Sequence, residues 1–350
     1  MGYIRFLLAV SVFQGHVSSF FLPKAYECAG GIVSVRLFYV ISGFLIAKVL
    51  IEKYSSIKFF YVSRALRLFP VYYLVLFITI LTSIIFFFTK GHTFLLAYYA
   101  GYYNYLNPIE LILLSFPQLI LFTLDLYGFI GVNTDGLFLA KQTWINVNGY
   151  QFLLVPQAWT LGLEIGFYLI IPFLVRNNKF LVLLLFLSLL IELLIKIYIP
   201  YSGDDPWARR FFLSEAQYFL LGSISYQYQS FLYIKKKKVI FFSYVIFFCY
   251  LLSMESIGFL HSIGCCITMS LLIPSFISIS KYLPLDRFIG NLSYPFYISH
   301  WFFIHLLKNV DANFNYPKLT CFFITVIFSI IVNITIERHV DKYRSRIHGH

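Results

Sequence analysis

Two ionisable side chains, Arg5 and His16, stand in the first apolar segment of the chain. They are eleven positions apart, so on a helix they point to the same side after roughly three turns. At 1.5 Å per residue, His16 lies about 16 Å from Arg5 along the helix axis. Burial disfavours the imidazolium, so His16 could take a proton from a hydroxyl while Arg5 holds an anionic donor. The alternative is a structural histidine bonded to a neighbouring helix, with an arginine that anchors the helix end.

A second pair of basic residues, Arg64 and Arg67, precedes Pro70 in a segment that is rich in Lys and Arg. Their i, i+3 spacing puts both side chains on one side of a helix. Guanidinium groups match the geometry of phosphate oxygens, so the pair is suited to a phosphate or a pyrophosphate. The general excess of Lys and Arg in cytoplasmic segments of membrane proteins explains the pair equally well.

A single carboxylate, Glu164, follows Trp159 in another apolar stretch, with Tyr168 one turn later. Charged side chains inside a bilayer cost about 2.5–3.5 kcal/mol each on insertion scales, so such a residue is a candidate functional group. Glu164 needs a partner, which Arg36 or His16 could supply. Its role would then be catalytic or, alternatively, that of a structural ion pair.

Further polar residues recur on one late apolar segment, where Tyr294, Tyr297 and His300 follow one another at every third position. This spacing predicts a polar stripe along one side of a helix. A hydrogen-bond network between helices accounts for the stripe almost as well as a functional site does. The predicted polar network around the substrate consists of Arg36, Trp159, Tyr168, Tyr297 and His300.

The elements that position these residues must lie in lipid. The 350 residues are 60% hydrophobic, 21% aromatic and 12% charged, with a mean hydropathy of +0.79. Soluble domains carry about twice as much charge. The net charge of +12 comes from basic residues between apolar runs, which is typical of membrane proteins and argues against a nucleic-acid partner. No CxxC motif occurs among the five cysteines, so we predict no metal site.

Apolar runs of the length that a bilayer requires predict an all-α, polytopic transmembrane bundle of about ten spans. The candidate spans are Tyr3–Leu22, Ile32–Leu50, Leu68–Phe88, Ala158–Val175, Phe180–Ile199, Phe211–Leu232, Val239–Met254, His261–Ser280, Leu292–Lys308 and Leu319–Ile336. Segment Thr93–Tyr127 is apolar but contains several polar residues and prolines. It either crosses twice or folds back without crossing, and its polar content favours the second. Clusters of Lys and Arg predict that both termini are cytoplasmic and that Gly128–Gln157 is the longest outside segment.

Taken in order, five blocks of this sequence resemble the acyltransferase-3 family of membrane O-acyltransferases. They are the Arg5-x10-His16 helix and the segments RLFYVISGF, RALRLFPVYY, WTLGLEIGFY and LSYPFYISHW. The resemblance runs from about Arg5 to about Glu337, so residues 1–340 would form the acyltransferase domain and 341–350 a short basic cytoplasmic tail. The sequence departs from the usual pattern of this family at two positions: Arg36 stands where many members carry Asp, and Thr160 stands where Ser is usual.

The resemblance implies roles for individual residues. Arg5 and His16 match the family's essential Arg-x10-His pair, Arg64 and Arg67 its basic cytoplasmic motif, and Glu164 its acidic residue. The donor would be acetyl-CoA taken from the cytoplasm, with its phosphates at Arg5, Arg64 and Arg67. His16 and Glu164 would be catalytic.

The sequence thus predicts a membrane O-acyltransferase of the bacterial cytoplasmic (inner) membrane. It would transfer acetyl from acetyl-CoA to a hydroxyl of a surface polysaccharide or of its lipid-linked precursor. Its partners would be membrane lipid, the acyl-CoA and the glycan acceptor. The alternative is a polysaccharide flippase, polymerase or transporter that transfers no acyl group. A transporter is expected to show repeat symmetry between its halves, and we find no internal repeat in the sequence.

Overall fold

The computed structural model describes residues 1–17, 30–53, 56–140, 147–199, 205–207, 209–253, 259–310 and 316–347. The end of the first predicted span (residues 18–22) and most of the loop after it lie outside these ranges. The described residues form mainly helices, which are α1 (Gly2–Val17), α2 (Gly30–Glu52), α3 (Ile57–Lys90), α4 (Ala97–Tyr102), α5 (Pro108–Ile120), α6 (Trp159–Leu174), α7 (Asn178–Tyr198), α8 (Phe212–Gln227), α9 (Gln229–Leu232), α10 (Lys237–Ser253), α11 (Phe259–Ser280), α12 (Asp286–Asn309), α13 (Pro317–Val332) and α14 (Arg338–Ile347).

Six of the described helices are long and apolar enough to cross a membrane, by length and composition alone. They correspond to α2, α3, α6, α7, α11 and α13. The other four predicted spans are also helical: α1, α8 and α10 have 16, 16 and 17 residues, and α12 has 24. The predicted all-α membrane bundle is confirmed in this respect, and the count of ten crossings stays a prediction.

The segment that we expected to fold back holds only short helices. Its longest, α5, has 13 residues and is about 20 Å long, less than the thickness of the hydrocarbon core. Asn107 begins α5 with a capping box, in which its side chain accepts from the backbone N–H of Glu110 and the Glu110 carboxylate accepts from that of Asn107. The hydroxyl of Tyr72 on α3 donates to the carbonyl of Gln118 and so ties α5 to the bundle.

The predicted outside segment contains the one departure from the all-α prediction among the described residues. Three short antiparallel strands, β1 (Ile130–Asn133), β2 (Gly136–Leu139) and β3 (Val147–Asn148), form a sheet in the order β2-β1-β3. Gly136, with φ of 110°, closes the two-residue turn between β1 and β2. Glu110 accepts a hydrogen bond from the backbone N–H of Leu137, which holds this hairpin against α5.

The helix α2 lies at the centre of the bundle and packs closely on α8. A Cβ atom added at Gly43 would lie 2.0 Å from the carbonyl oxygen of Phe219, and one at Gly222 would lie 1.9 Å from that of Val40. Glycine at both positions therefore lets the two backbones touch. By contrast, only 22% of the apolar 18-residue stretch in α7 is buried, whereas 67% of the corresponding stretch in α2 is buried. The helix α7 is therefore at the periphery, where its apolar side chains face lipid.

Candidate active site

The helix α1 carries both residues of the first predicted pair. Its start is fixed against α12, because the N-terminal ammonium lies 2.9 Å from the carboxylate of Asp286 and a Cβ at Gly2 would lie 1.6 Å from that residue's carbonyl oxygen. The helix is continuous from Gly2 to Val17. Arg5 and His16 therefore lie on one side of it, about 16 Å apart along the axis, as their spacing predicts.

Three cavities adjoin one another along this side of α1. The basic cavity, at the Arg5 end, has about 1150 Å³ of empty space. The middle cavity has about 770 Å³ and is also lined by Arg5. The His16 cavity, which His16 lines, has about 1070 Å³. Arg67 lines both the basic and the middle cavities, and Tyr297 lines both the middle and the His16 cavities.

The middle cavity contains the predicted carboxylate. The Ser42 hydroxyl donates a hydrogen bond of 2.7 Å to Oε1 of Glu164, and the Tyr168 hydroxyl donates to the same oxygen. The two donors face one carboxylate oxygen from α2 and from the next turn of α6. The suggestion that Arg36 or His16 is the partner of Glu164 is therefore wrong, because hydroxyl groups fill that role.

The two arginines of α3 both reach the middle cavity, in agreement with the side that their spacing predicts. The Arg64 guanidinium lies beside two aromatic rings that contact each other, 5.7 Å from the centre of the Phe60 ring and 5.9 Å from that of Tyr168. Arg64 is 6% exposed, and its Nε has no hydrogen-bond partner among the described residues. A buried guanidinium held over rings in this way retains donors for an anionic ligand in the cavity.

Arg36 forms a buried ion pair with Glu215. Its Nη2 lies 2.6 Å from Oε1 of Glu215 on α8, and its Nη1 donates to the Ser262 hydroxyl at 3.2 Å. The guanidinium also lies 4.8 Å from the centre of the Tyr218 ring. The side chains of Arg36 and Glu215 are 6% and 4% exposed. Arg36 also lines the His16 cavity, but its guanidinium is already bound by these contacts. Glu215 is the acidic partner of Arg36 that the sequence did not identify.

His16 is exposed, contrary to the burial that we expected, and two rings of α12 lie against it. Its ring stacks on that of His300 with centroids 5.4 Å apart and meets the Trp301 ring edge-on at 4.7 Å. His300 is fully buried, and its Nδ1 lies 2.6 Å from the carbonyl oxygen of Tyr297. Its Nδ1 therefore carries the proton and its Nε2, which has no hydrogen-bond partner among the described residues, carries the lone pair.

The predicted polar stripe of α12 divides between the cavities and the packing behind them. The Tyr297 hydroxyl lies 3.0 Å from that of Thr160, and Tyr294 donates to the carbonyl of Leu68 on α3. Both tyrosines line the middle cavity. His300 belongs instead to the buried layer behind His16. The stripe therefore serves both a polar cavity and contacts between helices.

Trp159 supports a cation that the sequence reasoning missed. The Arg210 guanidinium lies 4.6 Å from the centre of a Trp159 ring and 5.4 Å from that of Tyr150. Its Nε lies 2.9 Å from a carboxylate oxygen of Asp205. All four residues line the His16 cavity. A signal was present, because Arg210 ends the short segment Pro200–Arg210 between two candidate spans, on the side predicted to be outside, where basic residues are less common.

These features define a multi-pass helical membrane protein with polar cavities in series through its interior. The sequence model of the acyltransferase-3 family, described as an acyltransferase domain, matches residues 1–338. The chain belongs to this family, which makes it a membrane acyltransferase and confirms the resemblance seen in its motifs. No curated protein and no solved structure matches the chain.

Proposed function

We propose that the protein transfers an acetyl group from acetyl-CoA to a hydroxyl of a surface polysaccharide or of its lipid-linked precursor. Acetyl-CoA enters the basic cavity from the cytoplasm, and the acceptor reaches the His16 cavity from outside a bacterial cytoplasmic membrane. The observation that carries the proposal is the series of three adjoining cavities between Arg5 and His16.

The length of the donor fits this path. Thirteen bonds join the sulfur of CoA to the first phosphorus of its pyrophosphate, which is about 15 Å at the spacing of a fully extended backbone. Arg5 and His16 are about 16 Å apart along α1. A pyrophosphate bound by Arg5 and Arg67 therefore places the thioester close to His16 when the pantetheine arm is extended through the middle cavity.

In the proposed reaction, His16 takes the proton from the acceptor hydroxyl as its oxygen attacks the thioester carbon. A carbon–oxygen bond forms, the carbon–sulfur bond breaks, and the proton passes to the departing thiolate of CoA. A route through an acetylated His16 has the same overall balance. Arg5, Arg64 and Arg67 hold the phosphates, and Glu164, fixed by Ser42 and Tyr168, orients the polar groups of the middle cavity.

The aromatic residues of the His16 cavity complete the proposed acceptor site. Trp159 and Tyr297 both line this cavity, and an aromatic lining suits a sugar, whose faces are apolar and whose edges carry hydroxyl groups. His300 supports His16 from behind through their stacked rings.

The test is the incorporation of labelled acetyl from acetyl-CoA into the envelope polysaccharide of cells with and without the gene. We expect His16→Ala to abolish the label while the protein still inserts into the membrane. His92→Ala is the matched control, because His92 is exposed and lies at the end of α3, away from the three cavities. It should retain the label. If loss of the gene changes the amount or chain length of the glycan and leaves its acetyl content unchanged, the protein is a flippase, polymerase or transporter instead.

A further inference from the structure

The basic cavity has a surplus of cationic side chains. Its lining contains two acidic residues, Glu337 and Asp341, and five basic ones, Arg5, Lys53, Arg67, Arg287 and Arg344. Arg5 and Arg67 also line the middle cavity. The remaining three line the basic cavity alone, so they are the cations of this set that lie away from the path toward His16.

Arg344 is the most firmly positioned of these three residues. Its Nε donates to the Ser63 hydroxyl at 3.0 Å, and its Nη1 donates to Asp341 at 2.9 Å. Ser63 is fully buried and directly precedes Arg64. The Arg344 side chain is 16% exposed, whereas that of Arg287 is 89% exposed and lies 3.9 Å from Asp341. A guanidinium fixed in advance loses less side-chain entropy when it binds an anion.

Arg344 belongs to a part of the chain that lies beyond the family match. The match ends at residue 338, where α14 begins after a π-helical turn at Asn333–Glu337. One face of α14 directs Asp341 and Arg344 to the basic cavity, while Arg346 on the same helix is exposed and is not among the lining residues. One helix therefore crosses the boundary that we predicted between the domain and a separate basic tail.

We propose that Arg344, assisted by Lys53 and Arg287, binds the 3′-phosphate on the adenosine end of acetyl-CoA. This inference rests on the proposed function. If the pyrophosphate lies at Arg5 and Arg67, the pantetheine arm leads toward His16 and the adenosine must lie on the other side, in the basic cavity. The 3′-phosphate is the remaining anionic group of the donor, and it competes with the Asp341 carboxylate for the Arg344 guanidinium.

The experiment compares the binding of CoA and of 3′-dephospho-CoA to the purified full-length protein in lipid nanodiscs. Charge-assisted hydrogen bonds are strong enough that the wild type should bind CoA roughly tenfold or more tightly than 3′-dephospho-CoA. We expect Arg344→Ala to remove this preference by weakening CoA binding alone. Arg346→Ala removes the same charge from the same helix and should leave the preference unchanged.

A second variant gives a change in the opposite direction. Asp341→Asn removes the carboxylate that competes for Arg344, so it should tighten CoA binding several-fold and leave 3′-dephospho-CoA unaffected. If α14 served only in folding, Arg344→Ala would weaken the binding of both ligands together. Equal losses for both ligands in Arg344→Ala, or no gain in Asp341→Asn, would refute the proposal.

The wild type separates this proposal from the function on which it rests. Equal binding of CoA and 3′-dephospho-CoA by the wild type overturns only the assignment of the 3′-phosphate. Failure of the wild type to bind either compound overturns both proposals.

Discussion

The ion pair between Arg36 and Glu215 offers a direct test of whether Arg36 is structural or contacts substrate. The two side chains join α2 to α8 through a contact of 2.6 Å, and both are nearly inaccessible. The variant Glu215→Gln keeps the shape of the side chain and removes its charge. Arg36 keeps its contacts with the Ser262 hydroxyl and the Tyr218 ring but loses the charge of the carboxylate that lies 2.6 Å from it.

The expected loss of stability is large. Removing one partner of a buried ion pair leaves an uncompensated charge and costs about 3–5 kcal/mol. Such a loss corresponds to a decrease of roughly 10²- to 4 × 10³-fold in the ratio of folded to unfolded protein. Replacement of both residues by apolar ones of similar size, Arg36→Met with Glu215→Leu, removes the unpaired charge and should recover most of the stability.

The assay is the unfolding of the purified protein by SDS, followed by tryptophan fluorescence. A matched control is Lys48→Met, because Lys48 also belongs to α2 and pairs with Glu52 at 3.9 Å, with side chains that are 33% and 42% exposed. Exposed pairs contribute at most about 1 kcal/mol, so the control should unfold close to the wild type. If Glu215→Gln unfolds like the wild type, the ion pair does not stabilise the fold and our reasoning fails.

Three further predictions concern other parts of the bundle. Gly43→Leu should prevent folding, because its Cβ would lie 2.0 Å from the Phe219 carbonyl oxygen, whereas Gly101→Leu, with nothing within 4 Å, should elute normally in size-exclusion chromatography. Glu164→Gln should lower acetyl transfer by about 10²-fold with little change in the KM for acetyl-CoA, measured in membranes. Burial raises the pKa of Asp125, outside the predicted spans, from 3.8 to about 6, so the Asp125→Asn variant should gain stability relative to the wild type as pH rises from about 4 to about 6.

Each of these predictions has a result that would contradict it. Normal folding of Gly43→Leu would mean that α2 and α8 are not in backbone contact. Full transfer activity in Glu164→Gln would remove the carboxylate from the proposed mechanism. Parallel pH profiles for the wild type and Asp125→Asn would show that Asp125 has an ordinary acidity in the folded protein.

Periodicity and hydropathy predicted the parts of the site that lie on single helices. Arg5 and His16 share a side of α1 because one continuous helix connects them, and helical spacing also brings Arg64 and Arg67 to the same cavity. These relations depend on local geometry, which the sequence determines directly.

Contacts between distant segments could not be predicted in the same way. Arg36 and Glu215 are 179 positions apart, and Ser42 and Glu164 are 122 apart. Which carboxylate meets which donor depends on the helix neighbours in the bundle, and apolar helices in lipid carry little sequence information about their neighbours. Arg344 is a similar case, since its place at the basic cavity depends on the packing of α14 against α3.

Val35 and Tyr297 line both the middle and the His16 cavities and are therefore the boundary between them. If water enters from both ends, the electrical insulation of the membrane narrows to this boundary, and most of the transmembrane voltage falls across it. In the proposed reaction, a proton from the external alcohol ends on the thiol of CoA on the cytoplasmic side. The acetyl group moves outward in exchange, as the formal equivalent of an acylium cation, so the two charge displacements cancel and the membrane potential adds no net driving force to a turnover.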